Sequence, residues 1–216
     1  MIWRKHSGIR EMVRRQLAAR DITDRRVLAA MASVPRDLFV PEHLREHAFD
    51  DGPLPIGYEQ TISQPYIVAL MTQAARVTRH SKVLDVGTGS GYQTAVLAKL
   101  AGHVWSIERL AELSQEAGDR LAQLTCDNVT LLIGDGAHGH AEAAPYDAIV
   151  VGAASPRVPQ PLTDQLSIGG RLVVPLGDRA LQELTIIERT IRGLRTTQAG
   201  PCRFVPLVSD EAFLER

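Results

Sequence analysis

Cysteine is scarce in this chain: Cys126 and Cys202 are the only two in 216 residues. Far apart and set among apolar neighbours, they argue against a disulfide framework or a cysteine metal site and read as reduced core residues. Charge of either sign is also lacking in excess. The formal net charge of -1 gives no global pull toward nucleic acid or membrane. Apolar runs such as 148–154 are far shorter than the roughly 20 residues that span a bilayer. Residues 1–6 show no apolar core or cleavage pattern of a signal peptide, so the expectation is a cytoplasmic protein. The histidines are scattered. The nearest pair, His138 and His140, lies in a glycine loop with only Asp135 for company, and no metal site is expected. No repeat or low-complexity tract is present, and the length suits one domain, 1–216, with a lobe.

What the chain does have is Val83-Leu84-Asp85-Val86-Gly87-Thr88-Gly89-Ser90-Gly91. Strand-forming residues run into glycines at alternate positions, which let the backbone turn tightly and approach a ligand. Helix follows from Thr94. A second acid, Glu108, closes the next apolar stretch at roughly the 20-residue offset where such folds place a ribose-binding carboxylate. A partner for Arg109, or an acid at a helix N-terminus, is its competing role. The glycine spacing then separates cofactors. A dinucleotide site shows G-x-G-x-x-G, because pyrophosphate rests on the helix N-terminus. Here the pattern is G-x-G-x-G with Asp85 before it, and a carboxylate there repels pyrophosphate but suits the ammonium and sulfonium of S-adenosyl-L-methionine. Another nucleotide, or a turn that only packs helix on sheet, are the alternatives.

From residue 82, strands and helices alternate. Strands are expected at 82–86, 104–107, 129–133, 148–151 and 171–174, with a helix at 110–124. The fold class is therefore α/β, a doubly wound, mostly parallel Rossmann-like sheet. Residues 183–189 and 202–208 read as a C-terminal antiparallel strand pair joined around Gly193. An N-terminal helical lobe occupies 1–80, where Ile9, Met12, Val13 and Leu17, then Val27, Leu28 and Met31, recur at helical spacing. Its arginines read as a solvated face, and Ser63-Gln64-Pro65 as a helix cap and first turn. In open α/β sheets ligands collect at the carboxyl ends of strands. Gly87, Glu108, Asp135-Gly136 and Gly152 all fall there. Asp135 either accepts a hydrogen bond from adenine or forms a plain Asp-Gly turn.

With these residues in view, the chain resembles the protein-L-isoaspartate (D-aspartate) O-methyltransferase family. The resemblance runs over Leu54-Pro55-Ile56-Gly57, Gln60-Thr61-Ile62-Ser63-Gln64-Pro65-Tyr66, the glycine loop, Gly134-Asp135-Gly136, Tyr146-Asp147-Ala148 and Arg203-Phe204-Val205-Pro206-Leu207. The glycine loop is common to many methyltransferases; the Thr61 to Tyr66 segment is the family-specific part. The resemblance implies methyl transfer from S-adenosyl-L-methionine to the free α-carboxylate of L-isoaspartyl residues in peptides or proteins, the first step of repair. It gives Ser63 the active-site role. It places Thr61, Ile62 and Ser63 against cofactor and substrate, and Asp85, Gly87, Gly89, Gly91, Glu108, Asp135 and Gly136 around the cofactor. Glu59 stands where the family usually has glycine, Gly152 where threonine is common and Ser155 where proline is common.

A carboxylate of pKa ~3.5 to 4 is already ionised at neutral pH and needs no general base. The absence of a Ser-His-Asp or Cys-His constellation fits that chemistry. Ser63 is then a hydrogen-bond donor rather than a covalent nucleophile. Rival readings are a carboxyl methyltransferase for another peptide or small acid, and a module that binds the cofactor without turnover. A nucleic-acid amino-methyltransferase is disfavoured, because the place of its Pro-Pro-aromatic motif reads Gly152-Ala153-Ala154-Ser155-Pro156.

Overall fold

The computed structural model describes residues 2–214. In chain order the elements are α1 (Ile2–Glu11), α2 (Arg25–Ser33), β1 (Leu54–Gly57), β2 (Gln60–Ile62), α3 (Pro65–Ala75), β3 (Lys82–Val86) and α4 (Tyr92–Ala98). They continue as β4 (His103–Glu108), α5 (Ala111–Gln123), β5 (Val129–Ile133), β6 (Tyr146–Val151), α6 (Gln160–Asp164), β7 (Leu166–Gly177), β8 (Gln182–Thr190) and β9 (Gly193–Cys202). A π-helical turn, Met12–Ala18, extends α1. No helix among the described residues is long and apolar enough to cross a membrane.

The seven-stranded sheet has the order β5-β4-β3-β6-β7-β8-β9, parallel up to β7 and antiparallel beyond it. Its middle strands are apolar along their length because helices cover both faces: Val83, Leu84, Ile149 and Val150 are fully buried. The chain leaves β3 toward β4 on one side and returns to its other side as β6. That reversal opens a crevice at the carboxyl ends of β3 and β6. The N-terminal lobe shares a core with this sheet layer, where Met12, Leu17, Val27 and Met31 cluster with Tyr92, Val96 and Leu113.

Two expectations need correction. The last strand is Gly193–Cys202, not 202–208. Thr190 pairs with Gly193 across a two-residue turn, and the strand is polar and exposed because it forms the sheet edge. It therefore lacks the apolar alternation of a half-buried strand. Residues 203–208 instead cross toward the segment that follows β6 and meet it through a single bridge, Ala154 to Pro206. Pro206 within that apolar run already argues against a regular strand. The second correction concerns β7, which begins at Leu166 because Gly169-Gly170 form an irregularity within the strand rather than a loop before it.

The turn-rich passage before α3 contains a hairpin, β1 with β2. Its central residues, Tyr58 and Glu59, both take positive φ (52° and 58°), as the tight turns favoured in hairpins require. That conformation costs a non-glycine residue about 1–2 kcal/mol, which gives a physical reason for glycine at position 59. Glu59→Gly should raise unfolding stability by about 0.5–1 kcal/mol in urea titration. Equal or lower stability would refute strain at this turn. Arg36 holds the approach to the hairpin. Its buried guanidinium donates from Nε to the Ala48 carbonyl (2.7 Å) and lies 5.1 Å from the Tyr92 ring centre.

Candidate active site

Two cavities adjoin at the carboxyl ends of the parallel strands. The first is walled by the glycine loop, the ends of β4 and β6, Asp135-Gly136 and the segment Val205 to Val208. The second is walled by Pro53, Ser63, Gln64, Tyr66, Ile67 and residues Pro201 to Val205. Thr61, Gly152 and Val205 line both, so these three residues form the shared wall.

In the first cavity Gly87 and Gly89 take φ of 87° and 52°, a turn that keeps side chains out of the ligand's way. Glu108, at the end of β4, clips this turn in place. Its Oε2 accepts from the Gly89 N–H (2.8 Å) and its Oε1 from the Leu110 N–H (3.0 Å). Asp135 also lines the cavity, and both of its oxygens are engaged. Oδ1 accepts from the Ala137 N–H (2.9 Å) and Oδ2 from the Ser209 hydroxyl (2.6 Å). Asp135 therefore is an Asp-Gly turn residue and a cavity residue at once. A Cβ at Gly136 would lie 2.5 Å from Val86 Cγ1, so only glycine lets this wall close on the sheet.

Four of the predicted cofactor residues, Asp85, Gly91, Ile62 and Ser63, lie off the first cavity. Asp85 is fully buried beneath the loop. Its Oδ2 accepts from Thr94 (2.6 Å) and Ser106 (3.1 Å), and Ser106 in turn bonds the loop residue Thr88 (2.7 Å). The carboxyl supports the loop through hydroxyls rather than facing a ligand, because its strand position points it into the sheet's helix-covered side. Gly91 begins α4 with φ 89°, where a Cβ would meet Ala117 at 3.1 Å; its role is helix packing. Ile62 is 3% exposed and belongs to the shared core. Ser63 lines the second cavity, not the first.

Burial pushes the Asp85 carboxyl up to about 7, with a small further rise from Glu108 against the lowering hydroxyl bonds of Thr94 and Ser106. Its Oδ1 has no hydrogen-bond partner among the described residues. A pKa raised by folding makes the ionised form the unfavourable one. The protonated group's stability contribution is complete below about pH 4 and is lost as pH rises through about 7. Asp85→Asn should therefore be more stable than the unmodified protein by about 4 kcal/mol at pH 8, with little difference at pH 4. Urea midpoints that differ equally at both pH values would exclude the buried carboxyl as the cause.

On the second cavity's floor, Ser63 does not cap α3. The cap position is Gln64, and the Ser63 hydroxyl makes no hydrogen bond among the described residues. Tyr66 is held by its hydroxyl donating to Asp21 (2.6 Å), and burial raises its pKa to about 12. Gly152 sits where the wall is tightest: its N–H donates to the Val86 carbonyl (2.7 Å), and a Cβ there would lie 3.2 Å from the Gly87 oxygen.

Sequence reasoning missed the crossing segment Val205 to Val208, which it placed in a strand. Main-chain bonds from Ala154 N–H to Val205 O (2.8 Å) and from Leu207 N–H to Ala154 O (2.7 Å) hold it over the first cavity. It also left His138 with one acid. The fold brings Asp210 to 3.1 Å from His138 Nε2, with Asp135 at 3.5 Å, so the three groups fasten the C-terminal segment beside the cavity.

Known proteins are similar to this chain in sequence and in fold. The sequence profile of the protein-L-isoaspartate(D-aspartate) O-methyltransferase family matches residues 8–212. Protein-L-isoaspartate O-methyltransferase 1 of Syntrophobacter fumaroxidans is 55% identical over 197 residues, covering 91% of this chain and 92% of that protein. The Methanoculleus marisnigri protein-L-isoaspartate O-methyltransferase is 52% identical over 198 residues, 92% of this chain and 90% of its own. Among solved structures, a protein-L-isoaspartate O-methyltransferase superposes with TM-score 0.85 at 26% identity, over 94% of this chain and 67% of that one. A Plasmodium falciparum counterpart in complex with S-adenosyl-L-homocysteine gives TM-score 0.78 at 26% identity, over 94% and 98% of the two chains. The chain belongs to the protein-L-isoaspartate(D-aspartate) O-methyltransferase family.

Proposed function

We propose that this protein methylates the free α-carboxylate of L-isoaspartyl residues in damaged peptides and proteins, using S-adenosyl-L-methionine. The observation that carries this reading is the pair of cavities meeting at Thr61, Gly152 and Val205. One cavity suits a nucleoside and the other opens to a peptide. The cofactor fits the first: a glycine turn without side chains, a carboxylate at the end of the second parallel strand, and a second carboxylate at the end of the third. Gly87, Gly89, Glu108, Asp135 and Gly136 would hold it. When bound, it supplies a methyl group on a sulfonium, with a neutral thioether as leaving group.

The protein's own residues then have a limited task. The acceptor is ionised at neutral pH, so no base is needed. The Ser63 hydroxyl, without a partner among the described residues, and the hydroxyl of Thr61 at the shared wall donate hydrogen bonds that orient the carboxylate. The wall itself keeps water from the acceptor oxygen, and positioning is the main source of rate. Of the three departures from the family pattern, Glu59 and Ser155 line neither cavity, which narrows any change in acceptor preference to Gly152. The free thiols of Cys126 and Cys202 support a reducing, cytoplasmic setting.

The test uses labelled S-adenosyl-L-methionine with matched isoaspartyl and aspartyl peptides. Base-labile label on the isoaspartyl peptide alone is expected. Equal labelling of both peptides, or label on neither, would overturn the reading.

A further inference from the structure

Arg203 is the single charged residue lining the second cavity among the described residues. Its backbone is fixed on both sides. Cys202 pairs with Gln182 at the end of β9, and the Phe204 N–H donates to Gln182 Oε1 (2.8 Å). The residue, by contrast, is exposed, and its side chain makes no ion pair or hydrogen bond among the described residues. Of the acids in this region, Asp51 is engaged by Arg20 and by Gln64 Nε2 (2.8 Å), Glu183 accepts from the Gly200 N–H (3.0 Å), and neither lines the cavity. A rigidly anchored, unneutralised cation thus stands in a cavity otherwise lined by neutral groups. Arg203 does not line the first cavity, so its charge does not serve the cofactor.

We propose that Arg203 is the residue that recognises the charge of the acceptor, pairing with the isoaspartyl α-carboxylate as it enters beside Ser63. This rests on the proposed function and adds to it a source of selectivity. A guanidinium matches carboxylate geometry and holds it by charge-assisted hydrogen bonds. Methylation turns the anion into a neutral ester, so the attraction ends with the reaction. The same residue therefore favours substrate entry and product departure. Amidated or esterified isoaspartyl groups, lacking the charge, are poor occupants of the cavity.

Binding rather than turnover tests this. The protein loaded with S-adenosyl-L-homocysteine is titrated with an isoaspartyl peptide and with the same peptide bearing an α-carboxamide. The unmodified protein should prefer the acid by at least about tenfold, or about 1.4 kcal/mol. Arg203→Gln should reduce that preference below about threefold, and Arg203→Lys should retain part of it. Raising salt should weaken acid binding to the unmodified protein and leave Arg203→Gln nearly unaffected. Affinity for S-adenosyl-L-homocysteine, measured in parallel, should stay within about twofold in both variants. A full acid preference in Arg203→Gln, or none in the unmodified protein, would overturn the assignment. If the unmodified protein fails to methylate isoaspartyl peptides, the functional reading falls. Methylation with an undiminished acid preference in Arg203→Gln strikes the role of Arg203 alone.

Discussion

Glu108→Ala is expected to lower affinity for S-adenosyl-L-homocysteine by about 100- to 1,000-fold in calorimetry. The carboxylate accepts from two backbone donors that line the cavity, Gly89 N–H and Leu110 N–H. Hydrogen bonds to a charged group contribute about 1.5–3 kcal/mol each. These bonds exist before the ligand binds, so affinity falls because the ligand must re-order a loop that the variant leaves loose, at a cost of up to about 3–4 kcal/mol, which corresponds to the stated range. Any ribose contact adds to the loss. Glu108→Gln keeps one oxygen acceptor and should lose only about tenfold. Unchanged affinity in both variants would show that the loop holds its shape without Glu108 and that the residue does not bind the ligand.

The second large effect is on turnover. Ser63→Ala should slow methylation of an isoaspartyl peptide by about 100-fold, the scale at which loss of alignment at a reacting centre is felt. Affinity for S-adenosyl-L-homocysteine should change by less than about twofold, because Ser63 lines the second cavity and not the first. The unfolding midpoint should also hold, since the hydroxyl neither caps α3 nor bonds another described group. Single-turnover rates separate these outcomes. A variant as fast as the unmodified protein would remove Ser63 from the reaction.

Much of this architecture was readable before any coordinates. The five parallel strands lie where apolar runs and glycine turns place them, because buried strands leave a continuous apolar trace. Gly87, Glu108 and Asp135 followed from the rule that ligands gather at strand ends. The misreadings have specific causes. Asp85 sits one strand position from the loop, and sequence cannot say which face of the sheet its side chain enters. The β9 edge strand carries polar residues that resemble a loop, whereas Val205 to Leu207 are apolar because they roof a cavity rather than join a sheet. Tyr58 and Glu59 hide a hairpin turn, since neither is a residue that favours positive φ. The second cavity was the least legible part. It is assembled from segments about 140 residues apart, Ser63 to Ile67 and Pro201 to Val205, and no local pattern encodes their meeting.

The locked turn at Asp135 bears on how a repair enzyme ages. Asp-Gly is a vulnerable dipeptide: glycine offers little hindrance when its backbone nitrogen attacks the preceding side-chain carbonyl to close a succinimide. This chain carries that dipeptide at the cavity proposed for its cofactor. Both Asp135 oxygens are tethered, to the Ala137 N–H and the Ser209 hydroxyl, and Gly136 is pressed against Val86. Cyclisation would require breaking those bonds and turning the carboxyl back toward Gly136. The same contacts that shape the cavity thus shield the protein from the lesion it is built to mend. Asp51-Gly52 lies on an exposed bend, its carboxylate held only by the solvent-facing side chains of Arg20 and Gln64 rather than by a main-chain N–H, and is where self-inflicted isoaspartate should first accumulate on storage, as peptide mapping would detect.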